Sequence, residues 1–385
     1  MKVDPSAPAQ PGHRSTGIDL LRGVAILIVM LAHLPFSVPP AVSPELVYPP
    51  PAIARVMALG HYGVQLFLVI SGYCIHMRWA RSGDPAQRLE FFAFWRRRLT
   101  RLYPPFLLVL VLSIATVIVG HQVGPGSAIS WSRLGVDVTS LLLLVQNASD
   151  ASAHVGNPPL WSLALEDHLY LLYFPLLFLR RTRGWATALF VSFATFCGWL
   201  ALGRSLHLET SWPQSGNMAF GYWFCWALGA LAAEGHVKLV RLPSAYFCVA
   251  LFAGGLIVAS RVDGPVRDFV TTTSFFALVV AVTRFEESGG LARLPGAKAL
   301  AALGTMSYGV YLVHNPVFIV VKRLLVAIGL PAPVVLVLRF ASGVMAGYLL
   351  YRMVESPFQR RSQLVPVRFV RDRASSQVVA RAGAP

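Results

Sequence analysis

The chain has 385 residues, of which 55% are hydrophobic and 13% are charged. Soluble domains carry about 25% charged residues, so this composition excludes an ordinary soluble protein and is typical of an integral membrane protein. The formal net charge of +16 would also fit a nucleic-acid-binding protein. The distribution of the charges along the chain decides between the two classes.

Ten apolar runs are long enough to cross the ~30 Å hydrocarbon core of a bilayer. They predict an all-α integral membrane protein with about ten transmembrane helices. The runs lie near residues 18–36, 61–77, 102–120, 160–179, 185–203, 218–235, 244–260, 269–283, 301–321 and 332–351.

The basic residues follow the predicted topology. With the N-terminus inside, most of the 33 Lys and Arg residues fall in cytoplasmic segments, above all 78–101 and 352–385. The positive-inside rule therefore predicts that both termini are cytoplasmic. The same rule explains the excess of basic over acidic residues, so no nucleic-acid partner is expected.

The remaining segments complete the predicted organisation. Residues 1–16 are Pro-rich and polar and predict a disordered tail, 17–361 form one membrane domain, and 362–385 form a basic cytoplasmic tail. Residues 137–146 are apolar but too short for a span, which favours a re-entrant or interfacial helix on the outer face. The four cysteines are scattered, so neither a metal site nor a disulfide framework is expected.

The first predicted span carries an arginine and a histidine. Arg22 and His33 lie eleven positions, or roughly 16 Å, apart on a helix, with only Gly and apolar residues between them. Asp19 is three residues before Arg22, within ion-pair reach. Ionisable groups inside spans are costly and mark function, and an intramembrane histidine is suited to proton transfer. The alternatives are an arginine that snorkels to the headgroups and a histidine that caps a polar interface.

Four arginines precede the third span. Arg98 and Arg101 share one helix face and can clamp an anionic group such as a phosphate, on the same side of the membrane as Arg22. Simple positive-inside anchoring explains the same cluster.

The fourth span contains Glu166, with Asp167 and His168 on other faces. A buried carboxylate that assists a histidine is an arrangement for general-base catalysis, and the alternative is a structural ion pair between helices. His314 lies in the outer half of the ninth span, beyond Tyr308, and Ser71 lies in mid-membrane in the second span. There a Ser–Gly pair permits close helix packing or leaves room for a ligand.

Several motifs together resemble the bacterial acyltransferase-3 family of integral membrane O-acyltransferases. The match covers residues 17–361 and consists of the Arg-x10-His helix, QLFLVISGY, RRLTRLYP, WSLALEDHLYLLYFPLL, LGTMSYGVYLVH and YRMVESPFQ, in that order. The resemblance implies a protein of the bacterial inner membrane that transfers an acyl group from cytoplasmic acyl-CoA, above all acetyl-CoA, to a hydroxyl of a glycan or other acceptor. Some members of the family carry an appended hydrolase-like domain, and since only about 34 residues follow the last predicted span, a stand-alone form is expected.

The resemblance also carries residue roles. Arg22 and His33 match the essential first-helix pair, and Arg98 and Arg101 match the RxxR element. Glu166 matches the glutamate of the tryptophan–serine motif, whose first residues are Trp161 and Ser162. The chain departs from the family pattern at two positions, His168 and Tyr73, and neither belongs to the first-helix pair.

The predicted mechanism places the phosphates of acyl-CoA on Arg22, Arg98 and Arg101. His33 then deprotonates the acceptor hydroxyl, Glu166 orients it, and Tyr308 or Ser71 supports the oxyanion. A covalent acyl-histidine relay is left open. The rival from another class is a proton-coupled secondary transporter that uses His33, Glu166 and His314 as a relay, but the inverted repeats typical of transporters are not visible. A non-catalytic membrane scaffold explains none of the buried titratable groups.

Overall fold

The computed structural model describes residues 15–34, 60–82, 87–123, 129–148, 155, 157–208, 216–365 and 369–371. The predicted N-terminal tail lies outside these residues except for its end, where the Ser15 hydroxyl caps the first helix by accepting the Ile18 N–H at 3.1 Å. Residues 372–385 of the predicted C-terminal tail also lie outside them.

Within the described residues the fold is helical apart from one pair of three-residue strands, β1 (Gln87–Leu89) and β2 (Phe369–Arg371). We number the α-helices in chain order. They are α1 Thr16–His33, α2 Gly60–Ser82, α3 Phe91–Val123, α4 Trp131–Leu142, α5 Trp161–Ser205, α6 Trp223–His236, α7 Ala245–Ala259, α8 Gly264–Glu287, α9 Ala297–Thr305, α10 Ser307–Ala327, α11 Ala332–Leu350 and α12 Ser356–Leu364.

Helix α5 is kinked into two limbs, 161–183 and 185–205. The kink is at Gly184, whose φ of 84° and ψ of 178° interrupt the helical dihedrals. This combination is essentially restricted to glycine, because a Cβ would clash with the backbone. The two limbs correspond to the fourth and fifth predicted spans.

Six stretches of the described chain are long and apolar enough to cross a membrane. They are Thr16–His33, Phe91–Ile118, Pro158–Ser205, Gly264–Glu287, Ser307–Ala327 and Ala332–Leu364. Helices α6 and α7 have only 14 and 15 residues, although they coincide with predicted runs. The fold is therefore that of a multi-pass, all-α membrane protein, while the count of about ten spans and the cytoplasmic position of both termini stay predictions.

The short segment predicted at the outer face is helical, but its bounds differ from those predicted. Helix α4 begins at Trp131 and ends at Leu142, and a separate 3₁₀ turn follows at Gln146–Ala148. The 12 residues of α4 rise only about 18 Å, which is too short for a span. Its exposed side chains include Trp131, Val136 and Leu142, so the helix offers an apolar surface to its surroundings.

Small residues allow the central helices to approach closely. A Cβ added at Gly72 of α2 would run into the backbone carbonyl of Trp226 in α6, and one added at Gly229 of α6 would meet the carbonyl of Val69. Such contacts between small residues drive helix association in membranes, where apolar burial alone gives no preference. The packing role predicted for the Ser71–Gly72 pair thus belongs to Gly72.

Helices α1 and α2 run antiparallel. Gly60, at the start of α2, packs against Ala32 near the end of α1, and Arg22 near the start of α1 contacts Cys74 in the second half of α2. His33 therefore lies at one end of this helix pair and Arg22 lies towards the other.

The C-terminal segment packs against the membrane domain. A π-helical turn at Tyr351–Glu355 links α11 to α12, and β2 pairs antiparallel with β1, Gln87 opposite Arg371. Residues 362–364 of the predicted tail are part of α12, and Ser362 is buried. Helix α12 thus extends beyond residue 361, the predicted end of the membrane domain.

Candidate active site

The main cavity of the described structure, about 260 Å³, lies among α1, α2, α3, α5, α10 and α12. Basic, acidic and hydroxyl side chains share its walls with apolar ones. The arginines that line it are Arg22, Arg78, Arg97, Arg98 and Arg101. A concave site with a few converging polar groups is typical of ligand binding.

Arg22 is held from two sides. Its guanidinium lies 3.8 Å from the Asp19 carboxylate, which confirms the predicted contact on one helix face. It also donates to the Cys74 thiol at 3.6 Å. The side chain is 22% exposed, so Arg22 does not extend freely to the headgroups as the snorkelling alternative requires.

Arg98 and Arg101 both line the cavity from α3, as their spacing predicts. The Arg98 guanidinium lies over the rings of Phe94 and Tyr170, 5.5 Å and 5.3 Å from their centroids. The Nε groups of both arginines are buried and find no hydrogen-bond acceptor among the described residues. Buried donors are normally satisfied, so these groups are suited to an anionic ligand in the cavity.

Glu166 projects into the same cavity from α5. Its Oε1 accepts hydrogen bonds from the Ser71 hydroxyl at 2.8 Å and from the Tyr170 hydroxyl at 2.5 Å. Ser71 in turn accepts a bond from the Trp226 indole at 3.4 Å. These partners fix the carboxylate in the interior of the cavity, in contact with hydroxyl groups rather than with a histidine.

Two tyrosines of α10 complete the wall. The Tyr308 hydroxyl donates to the Leu102 carbonyl at 2.9 Å. The Tyr311 hydroxyl donates to the Pro159 carbonyl at 2.7 Å and lies 2.5 Å from the Ser162 hydroxyl. Trp161 does not line the cavity, and its ring packs against that of Tyr222 at 6.3 Å.

His33 and His314 form a separate pair, with ring centroids 5.1 Å apart in an edge-to-face arrangement. His33 Nδ1 lies 2.8 Å from the Val29 carbonyl and His314 Nδ1 lies 2.7 Å from the Tyr311 carbonyl. A carbonyl can only accept, so both Nδ1 atoms carry a proton and Nε2 is the basic nitrogen of each neutral ring.

The structure therefore places most of the predicted site residues in two groups. Arg22, Arg98, Arg101 and Glu166 line the main cavity together with Ser71, Ser162 and Tyr308, and neither His33 nor His314 is among its lining residues. Tyr311 connects the groups, because its side chain lines the cavity and its ring lies 5.9 Å from that of His314.

Comparison with known proteins identifies the family. Residues 15–352 match the model of the acyltransferase-3 domain. The chain belongs to the acyltransferase-3 family. This membership favours acyl transfer over the transport alternative.

The relatives include proteins that modify bacterial polysaccharides. The O-acetyltransferase OatA of Staphylococcus aureus is 24% identical over 372 residues, 90% of this chain and 57% of the relative. The exopolysaccharide production protein ExoZ of Rhizobium meliloti is 27% identical over 318 residues, 79% of this chain and 91% of the relative. The peptidoglycan O-acetyltransferase OatA of Listeria monocytogenes is 23% identical over 370 residues, 89% of this chain and 55% of the relative.

The chain thus spans little more than half the length of the OatA relatives. No solved structure gives a significant match.

Several cavity residues escaped sequence analysis. Tyr170 follows Glu166 by four residues, and this spacing alone predicts that the two side chains share one face of the helix. Arg78 is likewise one turn after Cys74 on α2. Glu355 and Gln359 line the cavity from the C-terminal segment, and the motif YRMVESPFQ, to which both belong, was the sequence signal for them.

Proposed function

We propose that the chain is a membrane O-acyltransferase that moves an acyl group, above all acetyl, from acyl-CoA to a hydroxyl of a polysaccharide. Family membership and the names of the relatives support the reaction class. The observation that carries the proposal is the cavity itself, whose lining includes five arginines and the half-buried Glu166 carboxylate.

The donor end of the reaction is assigned to the arginines. The diphosphate of acyl-CoA binds Arg98 and Arg101, whose buried Nε groups have no other acceptor among the described residues, and Arg22 lies on the same wall. Guanidinium groups match phosphate oxygens in bidentate geometry. The pantetheine arm then runs along the cavity past Glu166 and Ser71 towards Tyr311.

The chemical step is assigned to His33. Its Nε2 takes the proton of the acceptor hydroxyl, which attacks the thioester carbonyl and expels the CoA thiolate. His314 packs on His33 and orients its ring. Glu166 orients the substrates, and rotation of the Ser71 or Tyr308 hydroxyl supplies a donor to the oxyanion.

In this proposal about ten spans place both termini and the arginine end of the cavity in the cytoplasm, where acyl-CoA is available. The membrane is the bacterial inner membrane. Cysteine-accessibility labelling of full-length protein tests the topology: residues 84–90 should react only from the cytoplasmic side and residues 143–145 only from outside. Labelling of both segments from one side would contradict it.

Binding of acetyl-CoA to protein in lipid nanodiscs tests the donor site. Arg98→Ala should weaken binding by about 10- to 100-fold, since it removes charged hydrogen bonds. Arg98→Lys should retain part of the affinity because it keeps the charge and loses the fork. Arg96→Ala is the matched control, because Arg96 is exposed on the same helix and does not line the cavity. Equal effects of all three variants would show that these arginines only anchor the helix at the membrane surface and do not bind the donor.

Acetylation of surface polysaccharide in a complemented deletion strain tests the base. His33→Ala should abolish the mass increment of one acetyl group while acetyl-CoA affinity stays normal, because a base acts only in the chemical step. The rate of the wild type should fall as the pH drops and His33 takes up a proton. Substantial activity of the His33→Ala protein at neutral pH would show that His33 is not the general base, and Glu166 or His314 would then be tested in its place.

A further inference from the structure

Helix α12 contributes neutral hydrogen-bonding side chains to the arginine-lined part of the cavity. Gln359, Ser362 and Gln363 line the cavity together with Arg97 and Arg98. Gln359 and Gln363 are four residues apart, so they lie on one face of the helix. Gln359 is half-buried and Gln363 is exposed, which puts this face at the mouth of the cavity.

Contacts on both sides hold α12 in this position. At its start, Glu355 is buried and its Oε2 accepts the Gly309 N–H at 3.0 Å, which ties it to α10. At its end, Arg97 donates to the Val365 carbonyl at 3.3 Å. Beyond it, β2 pairs with β1, the strand directly before the arginine-bearing helix α3. The helix is thus fixed relative to the arginines.

We infer that Gln359 and Gln363 bind the adenine end of the CoA donor, an inference that rests on the proposed function. If the arginines hold the phosphates, the nucleoside at the mouth of the cavity lies beside α12. A glutamine amide carries a donor and an acceptor side by side, and this pair matches the adenine 6-amino group and N7. The Ser362 hydroxyl lies between the two glutamines in sequence on the same cavity wall.

The match to the family model ends at residue 352, although Gln359 still closes the motif YRMVESPFQ and Gln363 lies beyond it. The adenine end of the donor is thus assigned to α12 and the phosphates to the arginines of α3.

Two probes separate the nucleoside from the rest of the donor. Binding of CoA and of 4′-phosphopantetheine, which lacks the adenosine together with two of the three phosphates of CoA, is measured by calorimetry on full-length protein in nanodiscs. The double variant Gln359→Ala/Gln363→Ala should weaken CoA binding by about 10-fold and leave 4′-phosphopantetheine binding within about twofold. Arg360→Ala is the matched control, since Arg360 is exposed on α12 and does not line the cavity, and it should change neither.

A CoA analogue with hypoxanthine in place of adenine sharpens the test. The 6-amino donor then becomes an acceptor, so the wild type should bind CoA more tightly than the analogue and the double variant should bind both equally. Unchanged CoA affinity in the double variant, or an equal loss of CoA and 4′-phosphopantetheine, would overturn the inference. If the wild type binds neither CoA nor 4′-phosphopantetheine, the proposal that CoA is the donor would itself be overturned.

Discussion

The kink in α5 is held by a single buried carboxylate. Glu234 of α6 is fully buried, and its Oε1 accepts from His76 Nε2 at 3.0 Å and Arg180 Nε at 2.9 Å. Its Oε2 accepts from Arg180 Nη2 at 2.7 Å and Trp185 Nε1 at 2.8 Å. Arg180 and Trp185 lie on either side of Gly184, so Glu234 fastens both limbs of α5 to α6.

Replacement of Glu234 by methionine should destabilise the protein by about 3 kcal/mol. Removal of one partner of a buried ion pair costs about 3–5 kcal/mol, because the other charge stays buried without compensation. The lower end of that range applies, since the Arg180 side chain is 24% exposed and can recruit water. The His76 and Trp185 N–H groups also lose their acceptor.

Unfolding in mixed micelles, titrated with SDS, measures this cost. The double variant Glu234→Met/Arg180→Met leaves no unpaired charge, so its loss should be smaller than the sum of the two single losses by about 2 kcal/mol. Glu287→Gln is the control, because Glu287 is 43% exposed and lies 3.9 Å from His236. Additive losses would refute the reasoning, as would a Glu234→Met variant as stable as the control.

Three further predictions concern the backbone and the end of α1. In the same assay, Gly184→Ala should lower the free energy of unfolding by about 1–3 kcal/mol, because residue 184 has a positive φ. Gly198 lies on the second limb with open space around it, so Gly198→Ala should raise the free energy of unfolding by about 0.5–1 kcal/mol. Gly72→Ala should cost about 1–3 kcal/mol, because its Cβ meets the Trp226 carbonyl; a neutral effect would show that α2 and α6 can separate freely. Arg339 is fully buried and donates to the Leu34 and Phe318 carbonyls at 2.8 and 3.1 Å, so Arg339→Met should lower acetyl transfer about 10-fold or more through misplaced His33. Acetyl-CoA affinity should stay unchanged, and a parallel loss of affinity would contradict this positioning role.

The sequence by itself determined the class of the protein and the arginine face. Long hydrophobic runs indicate a membrane protein, because a bilayer requires a minimum length of apolar helix with its backbone hydrogen bonds satisfied internally. Helical spacing likewise predicted that Arg98 and Arg101 share a face, and that Asp19 reaches Arg22, since positions three apart always lie side by side. The ordered motifs predicted the family that the comparison then identified.

Only the tertiary structure decided which residues meet. Position along a helix can be counted from the sequence, but the residues that face it from other helices cannot. Glu166 was therefore predicted to assist a histidine, without a sign that it contacts Ser71 and Tyr170. The pairing of His33 with His314 and the return of α12 to the cavity depend on contacts between segments that are hundreds of residues apart in the chain. Such contacts depend on the packing of small residues and buried polar groups between helices, and the local sequence pattern does not indicate which distant residue is contacted.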